Sequence, residues 1–237
     1  MTNRSSTFKK RWPLAATTAA LLLGAGAAHA QLVLVAPEDF GGTGLGAVNT
    51  VLTITSPGSS TFEAGAVGIS PGGAQFMTGD TQAQTMARTL GELGVTSASS
   101  LRVVFNAAEP AGGSISLDDL VLNIYSATGS VLFTSSAFSP VSFASTNTGT
   151  GNSGFVFGLT GSDLASAQAL AFGTGFEGNY VGLSAAASDA TGGLETFFVA
   201  NSATTVTPVP EPGTYAMLLA GLGVMGFVAR RSRKTEA

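Results

Sequence analysis

Ser114-Ile115-Ser116-Leu117-Asp118-Asp119-Leu120-Val121-Leu122-Asn123-Ile124-Tyr125, continued by Ser126-Ala127-Thr128-Gly129-Ser130 and Val131-Leu132-Phe133-Thr134-Ser135, is where the sequence commits to a fold. Leu120, Leu122 and Ile124 recur with the period of two that lines one face of a strand, leaving Val121, Asn123 and Tyr125 on the other. Ala127-Thr128-Gly129-Ser130 supplies turn residues and Val131 to Phe133 returns, which predicts a β-hairpin. The same pattern recurs on both sides. Residues 31–35, 48–55, 61–69, 101–105, 155–157, 180–183 and 195–200 read as short strands separated by Gly, Ser, Asn or Pro. One helix is expected. Thr160-Gly161-Ser162-Asp163 has capping-box spacing, residues 164–171 are rich in Ala, and Gly173 stops the run. Residues 82–93 fit either a helix or a strand with a turn, and the strand followed by a helical turn is the favoured reading. The predicted fold is mainly β: an antiparallel β-sandwich, jelly-roll-like, with one short helix. No cysteine is present, so no disulfide holds the sheets together. The 13 phenylalanines between residues 31 and 207 are expected to fill the inter-sheet layer instead.

Outside residues 31–207 the chain changes character. Only 10% of the 237 residues are charged, and eight of the ten Lys and Arg residues lie at the two ends. A basic stretch from Arg4 to Arg11 precedes an apolar run over 14–28 that closes with Ala28-His29-Ala30. This is the layout of a secretory signal peptide, residues 1–30, with signal peptidase cutting between Ala30 and Gln31. At the other end Pro210-Glu211-Pro212 leads into the uncharged stretch 215–229, followed by Arg230, Arg231, Arg233 and Lys234. Fifteen residues of helix reach about 22 Å against roughly 30 Å of hydrocarbon. Such a transmembrane helix spans only with local thinning or with Arg230 and Arg231 snorkelling. The basic cluster acts as a cytoplasmic stop, which places the domain outside. Gly221-Leu222-Gly223-Val224-Met225-Gly226 matches a dinucleotide fingerprint in letters only, since no strand-helix unit surrounds it.

These three ordered C-terminal features, the proline-glutamate-proline triplet, the apolar span and the arginine-rich end, resemble the PEP-CTERM sorting signal. The resemblance covers about 27 residues, from about Val209 to Arg233, within a sorting segment placed at 208–237. It implies recognition by an exosortase, a membrane-embedded enzyme of exopolysaccharide-producing Gram-negative bacteria, with Pro210, Glu211 and Pro212 as the recognised motif. It implies transient anchoring in the inner membrane with the domain periplasmic, then release to the cell surface or extracellular matrix. Association with exopolysaccharide or biofilm is a further implication of the resemblance.

The domain between the two ends contains no His, Cys, Trp or Lys. That removes imidazole and thiol nucleophile schemes, zinc sites and Schiff-base chemistry. A carboxylate pair, as in glycoside hydrolysis, is the one enzymatic option left. Twelve acids stand against two arginines in residues 31–207, a formal charge of −10 that repels nucleic acid. Asp118 and Asp119, expected on opposite faces at a strand start, and Glu38-Asp39 before Phe40-Gly41-Gly42 are the candidate Ca²⁺ ligands. Asn147 to Gly154, Tyr125 and Tyr180 are the candidate sugar contacts. The expectation is a non-enzymatic exported surface protein without a resident cofactor. The alternative is a carbohydrate-binding or Ca²⁺-dependent adhesive module.

Overall fold

The computed structural model describes residues 31–38, 40, 49–109, 113–143 and 154–202. The predicted signal peptide, with Ala28 and Ala30, lies outside the described residues. So does everything from 203 on, including Pro210, Glu211, Pro212, the expected transmembrane helix and the basic residues Arg230, Arg231, Arg233 and Lys234. Among the described residues no helix is long and apolar enough to cross a membrane.

The chain alternates strand and turn, as its period-two pattern dictates. The strands are β1 (Leu32–Leu34), β2 (Thr50–Ile54), β3 (Glu63–Ile69), β4 (Gln75–Gly79), β5 (Arg88–Thr89), β6 (Leu101–Asn106), β7 (Ile115–Tyr125), β8 (Val131–Thr134), β9 (Val141–Phe143), β10 (Phe155–Leu159), β11 (Tyr180–Ser188) and β12 (Glu195–Asn201). One α-helix, α1 (Gly161–Ala171), connects β10 to β11. A five-stranded sheet runs β1-β10-β6-β12-β2, and a larger one runs β4-β3-β11-β7-β8 with β5 on β11 and β9 on β7. Every pairing is antiparallel. Among the described residues the fold is the expected mainly-β, two-sheet antiparallel sandwich with one α-helix.

The layer between the sheets is aromatic and aliphatic. Phe105, Phe157 and Phe197 are wholly enclosed, with Leu117, Leu120, Leu122 and Ile124 of β7 facing them in the same cluster. Phe105 and Phe197 stack at 4.8 Å between ring centroids. Phe143 of β9 stacks on Phe155 of β10 at 3.6 Å, joining the two sheets. Truncating a phenylalanine so placed to alanine costs about 3–5 kcal/mol. The sheets come into close contact where β2 faces β3. A Cβ on Gly65 would stand 2.7 Å from Ile54 Cγ2 and 2.9 Å from Thr81 Cγ2, so only glycine admits this contact.

The hairpin forms as read. Ser126 N–H donates to the Ser130 carbonyl at 2.8 Å, and Gly129 closes the turn at φ +85°. Two local expectations are corrected. Asp118 and Asp119 are not on opposite faces, because β7 carries a bulge there. Asp119 pairs with Ala186 and Leu117 with Ala187, leaving Asp118 as the extra residue. Leu117 and Leu120, three apart, are therefore both fully buried, and both aspartates stay outside the core. The capping box is also absent. Thr160 is the N-cap but makes no side-chain cap bond. Asp163 instead accepts from Ser136 N–H at 2.6 Å and Ser136 Oγ at 2.8 Å, pinning the chain after β8 to the helix.

Candidate functional site

Val33, Gly158, Arg102 and Ala200 form one transverse row across β1, β10, β6 and β12. With all pairs antiparallel, β1 begins and β12 ends on the same side. Gln31 and Ser202 therefore leave the domain from one end, three strand spacings or about 14 Å apart. Both are tied down. Gln31 is enclosed, its Oε1 accepting from Ser139 Oγ at 3.3 Å and its carbonyl from Thr160 Oγ1 at 3.4 Å. Ser202 N–H donates to the Ser100 carbonyl at 2.7 Å.

An ion pair locks this end. Arg102, fully enclosed on the outer face of the five-stranded sheet, donates from Nε to Glu38 Oε1 at 2.7 Å. Its Nη1 donates to the carbonyls of Ser99 at 2.9 Å and Leu101 at 3.1 Å. Glu38 Oε2 accepts from Ser202 Oγ. One carboxylate thus joins the segment after β1, the start of β6 and the residue from which the chain departs. Glu38 spends both oxygens on protein donors. Asp39 lies outside the described residues, and Phe40 packs edge-on against Phe198 at 6.2 Å.

The opposite end gathers acids that the sequence analysis did not single out. Glu63 opens β3, Glu195 opens β12, and both are completely buried between the sheets. Their carboxyl groups face each other and could hydrogen-bond only with one of them protonated, and Ser56 Oγ donates to Glu63 Oε2 at 3.4 Å. A bond between two carboxyls needs a proton on one of them. Were both ionised, Glu63 Oε1 and both Glu195 oxygens would be left without a partner. Burial, the bond to Glu63 and the charges of Glu63 and Glu109 push the Glu195 pKa up to about 9. Burial also raises that of Glu63, opposed by its bonds to Glu195 and Ser56. Glu109 is enclosed as well, but accepts from Thr191 N–H at 3.0 Å, Thr191 Oγ1 at 2.7 Å and Gly192 N–H at 3.2 Å. Asp80 accepts from Ala64 N–H at 3.1 Å. The signal that could have found the pair is parity. Glu63 shares a face with Val67 and Ile69, and Glu195 with Phe197 and Val199, so both acids sit at core positions of their strands. Glycoside-cleaving carboxyl pairs stand roughly 5–10 Å apart across an open cleft. These two are enclosed between the sheets, and neither reaches solvent.

Tyr125 and Tyr180 pair across β7 and β11 on the outer face of the larger sheet. Tyr125 lies over Gly182 and Gly68, whose missing side chains make room for it, and Phe76 closes over Gly68 from β4. Burial raises the Tyr125 pKa. Of the polar stretch 147–154 only Gly154 is among the described residues. Among the described residues no three acids are arranged to hold a metal ion.

The PEP-CTERM protein-sorting motif matches residues 208–234. No curated protein and no solved structure matches the chain. The match covers the Pro210-Glu211-Pro212 triplet, the apolar stretch and the basic residues up to Lys234. The motif implies an exported protein, anchored transiently in the membrane and processed by an exosortase on its way to the cell surface.

Proposed function

We propose that the protein is a non-enzymatic component of the cell surface or extracellular matrix, associated with exopolysaccharide or biofilm after exosortase processing. The observation that carries this reading is the sorting motif at residues 208–234, fused to a domain lacking His, Cys and Lys. The enclosure of Glu63 and Glu195 supports it, because the two acids that meet are withheld from any substrate. The formal charge of −10 over residues 31–207 favours a hydrated environment of neutral polysaccharide and disfavours nucleic acid. In this scheme signal peptidase cuts after Ala30. Arg230, Arg231, Arg233 and Lys234 hold the tail on the cytoplasmic side, and exosortase acts at Pro210-Glu211-Pro212.

Intact-mass analysis of the protein from an exosortase-bearing envelope tests the scheme. The expected mass is that of a chain starting at Gln31 and lacking the apolar tail. Replacing Pro210, Glu211 and Pro212 together by alanine should retain the tail and leave the protein in the membrane fraction. A surface-exposed protein with the mass of all 237 residues would refute the processing. For the matrix role, cells unable to make exopolysaccharide should shed the processed protein into the medium. Equal retention with and without polysaccharide would count against it.

A second reading, a carbohydrate-binding module, draws on the outer face of the larger sheet. There Phe76, 38% exposed, and the half-buried Tyr180 flank Tyr125. A glycan array separates the two readings: a specific glycan lost on Phe76→Ala would favour binding through this face.

A further inference from the structure

We propose that Glu63 and Glu195 form a one-proton site between the two sheets, and that losing the proton loosens the end of the sandwich they close. The site is built from facing elements. Glu63 comes from β3 of the larger sheet and Glu195 from β12 of the smaller one, both with no exposed surface. Among the described residues Ser56 is the one further side chain that donates to the pair. Among the described residues the charged groups that act on them are acids, Glu109 and Asp80, and neither carboxyl has a cation to ionise against. The two described arginines are engaged at the other end. Arg88 Nε donates to the Thr50 carbonyl at 2.8 Å, and Arg102 pairs with Glu38.

The segments that cover the pair are laced to one another. Ala190 N–H donates to the Thr61 carbonyl at 3.0 Å, Gly193 N–H to Ala108 at 3.1 Å, and Thr55 Oγ1 to Gly193 at 3.3 Å. Glu109 holds the turn at Thr191 and Gly192. Separating the two carboxyls therefore strains a cover made of residues 55–62, 107–109 and 189–194 rather than one side chain. A second negative charge enclosed here is repelled by the first and by the neighbouring acids, so relief comes by opening that cover.

The sign follows from proton counting. The Glu195 pKa is about 9 in the folded protein, against an ordinary value of 4.5. Between those values the folded state holds a proton that the unfolded state has released. Stability from this group is fully present below pH 4.5 and is lost progressively as the pH rises towards 9.

The test is thermal unfolding of the full-length protein in mild detergent, from about pH 5 to about pH 9. The native Tm should fall across this range. Glu195→Gln keeps the shape and donates to Glu63 without a titrating proton, so its Tm should vary less and exceed the native Tm by several degrees at the alkaline end. Parallel curves for the two proteins would overturn the proposal. So would millimolar Ca²⁺ restoring the native Tm at alkaline pH but not that of Glu195→Gln, because the pair would then be a cation site. Infrared spectroscopy of the native protein gives a reading that needs no variant. A protonated-carboxyl stretch should persist at neutral pH and vanish on alkaline titration, and its absence at neutral pH would equally overturn the site.

Discussion

Replacing Glu38 by alanine takes one acceptor from Arg102 and another from Ser202 in a single step. Arg102 is fully enclosed and Glu38 is 19% exposed, so water compensates the loss poorly. Hydrogen bonds to charged groups contribute about 1.5–3 kcal/mol each, and neutral ones about 1 kcal/mol. Both bonds involve a charged group, so Glu38→Ala, which removes two, is expected to lower the urea midpoint by an equivalent of roughly 3–5 kcal/mol, and Ser202→Ala, which removes one, by about 1.5–3 kcal/mol. Equal effects of the two would show that the ion pair adds nothing beyond the hydroxyl contact. Glu38 also marks the limit of residue-scale reading. An acid beside Asp39 and a glycine-rich run has a cation loop's composition, and nothing local says that Arg102, far along the chain, will claim it. Glu63 and Glu195 were legible only by parity. Each lies at an inward position of a strand whose other inward residues are apolar, yet their meeting depends on how two sheets superpose. Asp163 was legible as a helix-opening acid, but its partner Ser136 was not, for the same reason.

At the scale of the element, the bulge in β7 is an insertion with a calculable consequence. Removing Asp118 would leave Leu117 opposite Ala187, Asp119 opposite Ala186 and Leu120 opposite Ala185, a regular ladder with both leucines still inside. The deletion should fold, with a loss near the ordinary ~1 kcal/mol of a point change. Removing Val121 instead turns Leu122 and Ile124 outward and should abolish cooperative unfolding. If deleting Asp118 were as damaging as deleting Val121, the bulge would be a required bend and not a tolerated extra residue. The contrast also explains which elements the sequence disclosed. β2, β3, β6, β8, β10 and β12 each bury one or both faces, so apolar periodicity exposes them, and residues 82–93 resolve into β5 and a turn as read. β4 was invisible because all five of its residues are exposed: an edge strand buries no face and leaves no pattern. β9 is three residues long and follows Pro140, too short to show a period. β11 runs on to Ser188 through Ala185, Ala186 and Ala187, small residues that fit under the bulge but carry little strand signal of their own.

Taken whole, the molecule is polar along its length. Gln31 and Ser202 share one end with Arg88, Arg102 and α1, while Glu63, Asp80, Glu109, Asp118, Asp119, Asp189 and Glu195 collect towards the other. The six steps from Glu195 to Asn201 along β12 alone separate the two ends by about 20 Å. From Ser202 to the start of the apolar stretch at residue 215 are 13 steps, so the stem reaches about 45 Å at most even fully extended. A precursor still anchored through its apolar tail is therefore held by its less acidic end. Anionic headgroups repel the acidic end, and this repulsion and the tether favour the same orientation. The absence of native cysteine makes this measurable, because any introduced thiol is unique. Thr174→Cys places a probe on the exposed turn after α1, and Ser59→Cys places one on the exposed loop between β2 and β3 at the far end. In membranes from cells lacking exosortase, a headgroup-bound quencher should reach the label at 174 much more strongly than the label at 59. Raising the salt should narrow the difference without abolishing it, since screening weakens the repulsion but not the tether. Equal quenching would mean that the domain tumbles freely on its stem, and stronger quenching at 59 would mean that it folds back onto the bilayer against its own charge.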